Sequence, residues 1–316
     1  TIMRPVLLCI SVTLISCSSA LGWGCEGHQI VALIARAHLS PAAAAAVDQL
    51  LKENPVDPSV TRFCKDRPAD PMADVATWAD DIKNAEKTGA WHYIDIPLTV
   101  TGPGSLTAWC PPIGPSVNGK DRPGCVTDAI GYEWGILRDT ERPAAERASA
   151  LRYIIHFVGD IHQPLHDSDN DDRGGNCTAI RFFSEERPAN LHAIWDYKLI
   201  QRDLTADKTD QATYAAALDK QFTLHWRTWG QQKSDPAAWA WEGNALAKSV
   251  TYGDLKPAIP VETPSPQADC NTERDKVAAL HITVGDAYFN ETLPIVNEQL
   301  AKAGYRLAGL LNATFL

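Results

Sequence analysis

ERASALRYIIHFVGDIHQPLH, residues 146–166, begins as a helix and ends at Pro164, which cannot continue one. Within it, His156 and Asp160 are four residues apart, so on a helix both project from the same face and can meet one ion. Once Pro164 stops the spiral, His166 is released to swing back toward that face. A second pair, His192 and Asp196 in NLHAIWD (190–196), repeats the spacing. Neutral imidazole with carboxylate is a mixture that suits zinc. A single such pair arises readily on a helix surface or at a cap, so the argument rests on recurrence. His162 lies off the His156–Asp160 face, where a hydrogen bond to a ligand carboxylate is expected of it rather than direct ligation. His38 reads as a helix-face residue, and His225 and His281 have no matching partner.

Outward from this run, helical signals dominate. HQIVALIARAHL places Ile30, Leu33, Ile34, Ala37 and His38 at helical spacing, and SPAAAAAVDQLLKEN follows with Ser40 as N-cap and Pro41 at the first helical position. SDPAAWAWEGNALAKSVTYGDL also reads as a helix, as does the stretch from about Glu273 to Asn312, with an interruption expected near Pro294. Residues 97–126 form a long Gly/Pro-rich loop, a feature that in a compact domain is functional or stapled. Only AIRFF has strand character. The expected fold is therefore all-α: one mainly helical domain over 23–316 with long, disulfide-stapled loops. Trp226, Trp229, Trp239 and Trp241 are expected to pack inside it rather than form a ligand-stacking surface.

The first 22 residues, TIMRPVLLCISVTLISCSSALG, combine one basic residue, a short apolar run and small residues, which reads as a signal peptide cut before Trp23. The competing reading is a lipoprotein site at Cys17 in LISC. The Thr-Ile ahead of Met3 suggests that translation starts elsewhere. Beyond the leader no segment is long and apolar enough for a membrane helix, so a secreted or periplasmic, soluble protein is expected. Cys25, Cys64, Cys110, Cys125, Cys177 and Cys270 then remain, an even number in an exported chain and hence up to three disulfides. Cys110 with Cys125 and Cys25 with Cys64 are the pairings we favour. With no C-x-x-C pair, a cysteine zinc ribbon is disfavoured. The formal net charge is −10, so there is no broad basic footprint for nucleic acid, and a polyanion would need bound cations.

Six motifs now stand in order: WGCEGH (23–28), TWAD (77–80), WHYID (91–95), HFVGDIHQPLH (156–166), GGN (174–176) and NLHAIWD (190–196). In this order they resemble the secreted, trinuclear-zinc, single-strand-preferring nucleases of the P-one/S-one type, within the phospholipase C/P-one nuclease superfamily. AAWAWEGNALAKSVTYG (237–253) is similar as well.

By position, the resemblance implies three zinc sites. Asp80, His92, His156 and Asp160 are implied as ligands of one ion. Trp23, through its free α-amine and carbonyl, joins His28 and the bridging Asp160 on a second. His166, His192 and Asp196 hold the third. The implied reaction is attack of a metal-activated water on phosphodiester bonds of single-stranded DNA and RNA, releasing 5′-mononucleotides, with 3′-nucleotidase activity besides. Asp80 orients or deprotonates that water, and Lys83 adds positive charge at the phosphate. Tyr93, Asp95, Gly174 and Asn176 are implied at the base site, with Tyr93 offering a stacking ring. The insertion DSDNDDRGGN carries four aspartates that either reshape this pocket or form a solvated loop. A monomer without a stable protein partner is expected. The rival readings are a zinc-dependent phospholipase C, which ends the third site with Glu where this chain has Asp196, and a non-catalytic secreted zinc-binding protein.

One consequence is specific to Trp23. A chain that keeps its leader, or a recombinant chain with a methionine ahead of Trp23, is expected to fold yet show little nuclease activity, because its second site lacks the amine. Activity assays paired with N-terminal sequencing check this, and full activity from a blocked terminus contradicts it.

Overall fold

Helix boundaries follow the punctuation of the chain. In the computed structural model, which describes residues 23–265, 270 and 277–316, the first helix is α1 (Cys25–Ala37). Helix α2 (Pro41–Glu53) starts as its sequence demands: Ser40 Oγ accepts the Ala43 N–H at 3.1 Å and Pro41 occupies the first turn. Asp70 caps α3 (Pro71–Val75) in the same manner, through the N–H groups of Met72 and Ala73. Three helices that carry or support the site follow: α4 (Trp78–Glu86), α5 (Val126–Arg138) and α6 (Ala144–Asp160). A 3₁₀ turn at Pro164–Asp167 replaces the helix where proline stops it.

The second half continues with α7 (Leu191–Ala193), which passes through a π turn at Ile194–Lys198 into α8 (Leu199–Asp207). Then come α9 (Gln211–Phe222), α10 (Trp226–Trp229), α11 (Pro236–Leu246) and α12 (Asp286–Thr314). The strands are few. β1 (Ala179–Phe182) pairs antiparallel with β2 (Ala189–Asn190), with Ala179 opposite Asn190, and parallel with β3 (Thr283–Val284), with Arg181 opposite Thr283. The mainly helical expectation holds, including a strand at AIRFF.

Among these helices α1 is central: it packs on α12, α9, α3 and α6, while α6 packs on α5, α4, α2 and α12. Ile30, Val31, Ile34 and Ala35 of α1 are buried against this surround. The approach of α12 is very close, because a Cβ at Gly304 would lie 2.6 Å from the Ile34 side chain and 3.1 Å from the Val31 carbonyl oxygen. No helix among the described residues is long and apolar enough to cross a membrane.

Two expectations need correction. Helix α12 is not interrupted at Pro294 but runs through it, and it starts at Asp286; Glu273 lies outside the described residues. The proline forfeits one backbone hydrogen bond, yet Tyr288, Thr292, Val296 and Leu300 are buried on either side and hold both halves in line. Of the four tryptophans, only Trp239 is buried; Trp226, Trp229 and Trp241 are half-buried against the core, and Trp226 stacks on His38 with centroids 4.5 Å apart. His38 itself caps the end of α1 and pairs with Asp219 at 2.6 Å.

Three disulfides close the molecule: Cys25–Cys64, Cys110–Cys125 and Cys177–Cys270. The long loop after Pro97 is stapled by the second of these. It is also pinned at Trp91, whose indole N–H donates to the Pro123 carbonyl at 3.1 Å beneath the Arg122 guanidinium.

Gly304→Leu forces side-chain volume between α1 and α12 and is expected to destabilise the fold by about 1–3 kcal/mol. The urea midpoint checks this; an unchanged midpoint would show that the two helices can separate freely.

Candidate metal centre

The centre is built on the last turn of α6, where His156 and Asp160 are fully buried on one face. His156 Nδ1 lies 2.8 Å from the Ala76 carbonyl oxygen, which can only accept, so that nitrogen carries the proton. Its Nε2 is thereby turned toward Asp160 Oδ2 at 3.2 Å, Asp80 Oδ2 at 3.7 Å and His92 Nδ1 at 3.1 Å. His92 comes from the 3₁₀ turn Gly89–His92 and also faces Asp160 Oδ2 at 3.0 Å. Burial works against a charged His156 ring, but the facing carboxylates of Asp160 and Asp80 outweigh it and raise its pKa to about 9. The pocket therefore favours positive charge.

Asp160 divides its two oxygens. While Oδ2 faces His92 and His156, Oδ1 is 3.3 Å from His28 Nε2 and 3.9 Å from His166 Nδ1. His28, in the first turn of α1, stacks on His156 with centroids 3.9 Å apart, and burial, then the His156 charge, lowers its pKa to about 4. Among the described residues neither of its ring nitrogens, nor Asp160 Oδ1, has a hydrogen-bond partner. Buried polar atoms left this way are what a bound cation would satisfy. Gly159 makes the approach possible, since a Cβ there would sit 2.7 Å from His28 Nδ1. Trp23, fully buried, packs beside His28 against the same glycine, and the next residue donates its N–H to the Asp196 carbonyl at 2.7 Å.

A third group forms between the 3₁₀ turn and α7. His166 Nδ1 is 2.7 Å from the His92 carbonyl oxygen and His192 Nδ1 is 2.6 Å from that of Gly174, so both carry their proton there. The two Nε2 atoms consequently face each other as acceptors at 3.1 Å, an arrangement that a shared cation relieves. Asp196 Oδ2 is 3.3 Å from His192 Nε2, and burial pushes its carboxyl well above the usual carboxylate range. Its Oδ1 accepts the side-chain N–H of Gln163 at 2.6 Å.

Three buried sets of ligand atoms result, each within 4.8 Å of one another: His28, Asp80 and His156; His92, His156 and Asp160; His166, His192 and Asp196. Their imidazole and carboxylate donors fit zinc. A further combination, Cys110 and Cys125 with Asp128, is excluded because both thiols are in a disulfide. Lys83, buried, donates from Nζ to Asp80 Oδ1 at 2.9 Å.

The rim residues come together by backbone pairing. Ile94 donates to the His166 carbonyl at 2.7 Å, and Leu98 and Ile96 exchange bonds with Asp169 at 3.1 Å, which lays 94–98 beside 166–169. Tyr93 and Asp95 thereby stand next to the loop that carries Gly174 and Asn176. Surrounding protein and then Asp95 push the Tyr93 hydroxyl up to about 12. Asp95 is pushed upward by its crowded surroundings and by Asp169 and Asp172, although its side chain still meets water. Gly174 has φ +59°, and Asn176 donates its amide to the Arg173 carbonyl at 2.9 Å, within its own turn.

Several side chains depart from what the sequence suggests. His162 does not reach a ligand carboxylate: its Nδ1 bonds the Val158 carbonyl at 2.7 Å and its Nε2 accepts from Arg306 at 2.9 Å. Two residues past Asp160 the helical sense has carried it about 200° around, toward α12. The aspartate-rich insertion is no solvated loop. Asp169 Oδ1 accepts the Asp172 and Arg173 N–H groups, while Asp172 accepts from Gly175, Thr178 and Tyr252, so the acids tie the GGN turn. Gln163 was missed; its signal was its place between Asp160 and His166, just before the proline.

Comparison with known proteins agrees with this geometry. The S1/P1 nuclease family model matches residues 23–316. The chain is 31% identical to "Endonuclease 2" of Arabidopsis thaliana, covering 99% of this chain and 98% of the relative. It is 28% identical to "Nuclease S1" of Aspergillus oryzae over 98% and 97% of the two chains, and 26% identical to "Nuclease P1" of Penicillium citrinum over 92% and 97%. With the family pattern spanning every residue that builds the three buried groups, the chain belongs to the S1/P1 nuclease family.

Proposed function

We propose that the chain is a secreted, zinc-dependent nuclease that cleaves single-stranded DNA and RNA to 5′-mononucleotides and removes phosphate from 3′-nucleotides. The observation that carries this reading is the convergence of three buried His/Asp sets on the two oxygens of Asp160 and the neighbouring Asp196, in a chain of this family. Asp80, His92, His156 and Asp160 would hold one zinc. Trp23, by its amine and carbonyl, would hold a second with His28 and Asp160, and His166, His192 and Asp196 would hold the third. Bound zinc supplies a lowered water pKa and Lewis-acid stabilisation of phosphate charge.

The chain's own residues do the rest. Asp80 can orient the attacking water and take its proton. Lys83, fixed 2.9 Å from Asp80 Oδ1, is placed to balance charge that grows on the phosphate oxygens. Gln163 holds Asp196 in one rotamer. At the rim, the Tyr93 ring offers a face for stacking, with Asp95, Gly174 and Asn176 beside it for the base edge. Stacking requires a base that has left its pair, which accounts for a single-strand preference without a basic groove. Removal of residues 1–22 as a signal peptide would free the Trp23 amine, and the product is a monomer.

Zinc-loaded protein is expected to release nucleotides from denatured DNA and from RNA, with no choline phosphate from phosphatidylcholine, and to lose this activity on chelation and regain it with zinc. Choline phosphate without nucleotide would overturn the reading. Lys83→Ala is expected to lower kcat by about 10²–10³ with metal content unchanged, as loss of one charge-stabilising donor does elsewhere. An effect confined to KM would show instead that Lys83 only binds the strand.

A further inference from the structure

A second buried charge lies outside the metal cluster, and the proposed chemistry does not use it. Arg152 sits on α6 one turn before His156 and is only 4% exposed. Its Nη2 donates to the Asn54 carbonyl, its carbon Cζ lies 5.3 Å from the centre of the Trp78 ring, and its Nε has no hydrogen-bond partner. Among the described residues no carboxylate pairs with it. Burial and the nearby Arg62 charge both disfavour its cation. A buried guanidinium without a counter-ion is costly, so an anion brought to it would be held strongly.

Arg152 lines a cavity of about 360 Å³ between α2, the loop that follows it, and α3. Lys52, Arg62 and Arg67 reach the same cavity. Of the acids there, Asp48 pairs with Arg36 at 2.7 Å and Asp74 with Arg67 at 2.6 Å, while Asp57 is exposed to water, accepts the Ser59 N–H at 2.8 Å and keeps its charge. Arg62 is held by Asp81 at 3.0 Å. Among the described residues, Lys52 and Arg152 are the cations of this lining with which no carboxylate pairs, Lys52 exposed and Arg152 buried.

We propose that this cavity binds a phosphate group, separately from the metal cluster, with Arg152 as its anchor and Lys52 at its entrance. The group comes either from free phosphate in solution or from the backbone of a bound single strand. Because Arg152 stacks on Trp78 of α4 and precedes His156 on α6, the occupant stands behind the two helices that carry Asp80 and His156. The inference does not depend on the nuclease reading, since phosphate binding can be followed without turnover.

The test uses the mature, zinc-loaded full chain and its Lys52→Glu variant, an exposed substitution that leaves the fold intact. Binding of inorganic phosphate is measured by equilibrium dialysis at fixed ionic strength, together with KM for a long single strand and for a dinucleotide. Reversing the charge is expected to weaken one class of phosphate sites by about fivefold or more, leaving the class at the metals and kcat for the dinucleotide unchanged. A raised KM for the long strand alone assigns the phosphate to the bound polymer; unaltered KM values with weakened phosphate binding assign it to free phosphate. Phosphate binding and both KM values identical to those of the unmodified chain overturn the proposal.

Discussion

Everything at the centre of this molecule hangs on how Asp160 shares its carboxylate. One oxygen faces His92 and His156 and the other faces His28, with the whole side chain out of water. Desolvating one carboxylate is expensive, and Asp80 brings a second into the same space. Burial keeps His28 neutral, so positive charge reaches these carboxylates from the His156 ring and from Lys83. The fold therefore concentrates carboxylates in a buried space that needs positive charge, which multivalent cations supply when bound. That need explains the architecture around it: Gly159 is bare so that His28 can close on α6, and α1 is fixed by α12 at a glycine-narrow distance.

Charge at long range and charge at the site have opposite signs. The chain as a whole is acidic, at −10, and would repel a polyanion. Its affinity for phosphate must then be local, residing in bound cations, in Lys83 held against Asp80, and in the Arg152 cavity on the far side of Trp78. Beside the centre stand one half-buried ring, Tyr93, and one exposed cation, Arg173.

What the sequence made legible was local. His156 with Asp160, and His192 with Asp196, are one turn apart on single helices, so their spacing alone exposed them. The Ser40 cap, the stop at Pro164 and the helical run of α1 were equally readable, because caps and proline act within a few residues. Asp80 on α4, His28 on α1, His92 on a 3₁₀ turn and Trp23 ahead of α1 come from separate segments, and only the resemblance of ordered motifs pointed to them. Where tertiary packing ruled, the reading failed or was silent. His162 turned to Arg306, α12 ran straight through Pro294 because both halves are buried, and Asp169 and Asp172 became ties for a glycine turn. Gln163 and the Arg152 cavity depend on partners from distant segments and had no local period to betray them.

The shared carboxylate can be tested by counting metal. In the processed protein, Asp160→Ala should retain its helical content but lose two of its zinc ions, whereas Asp196→Ala should lose one, as read by metal analysis of dialysed samples. If Asp160→Ala keeps all its zinc, or gives up no more than Asp196→Ala does, then Asp160 does not bridge two ions and the account of the centre is wrong.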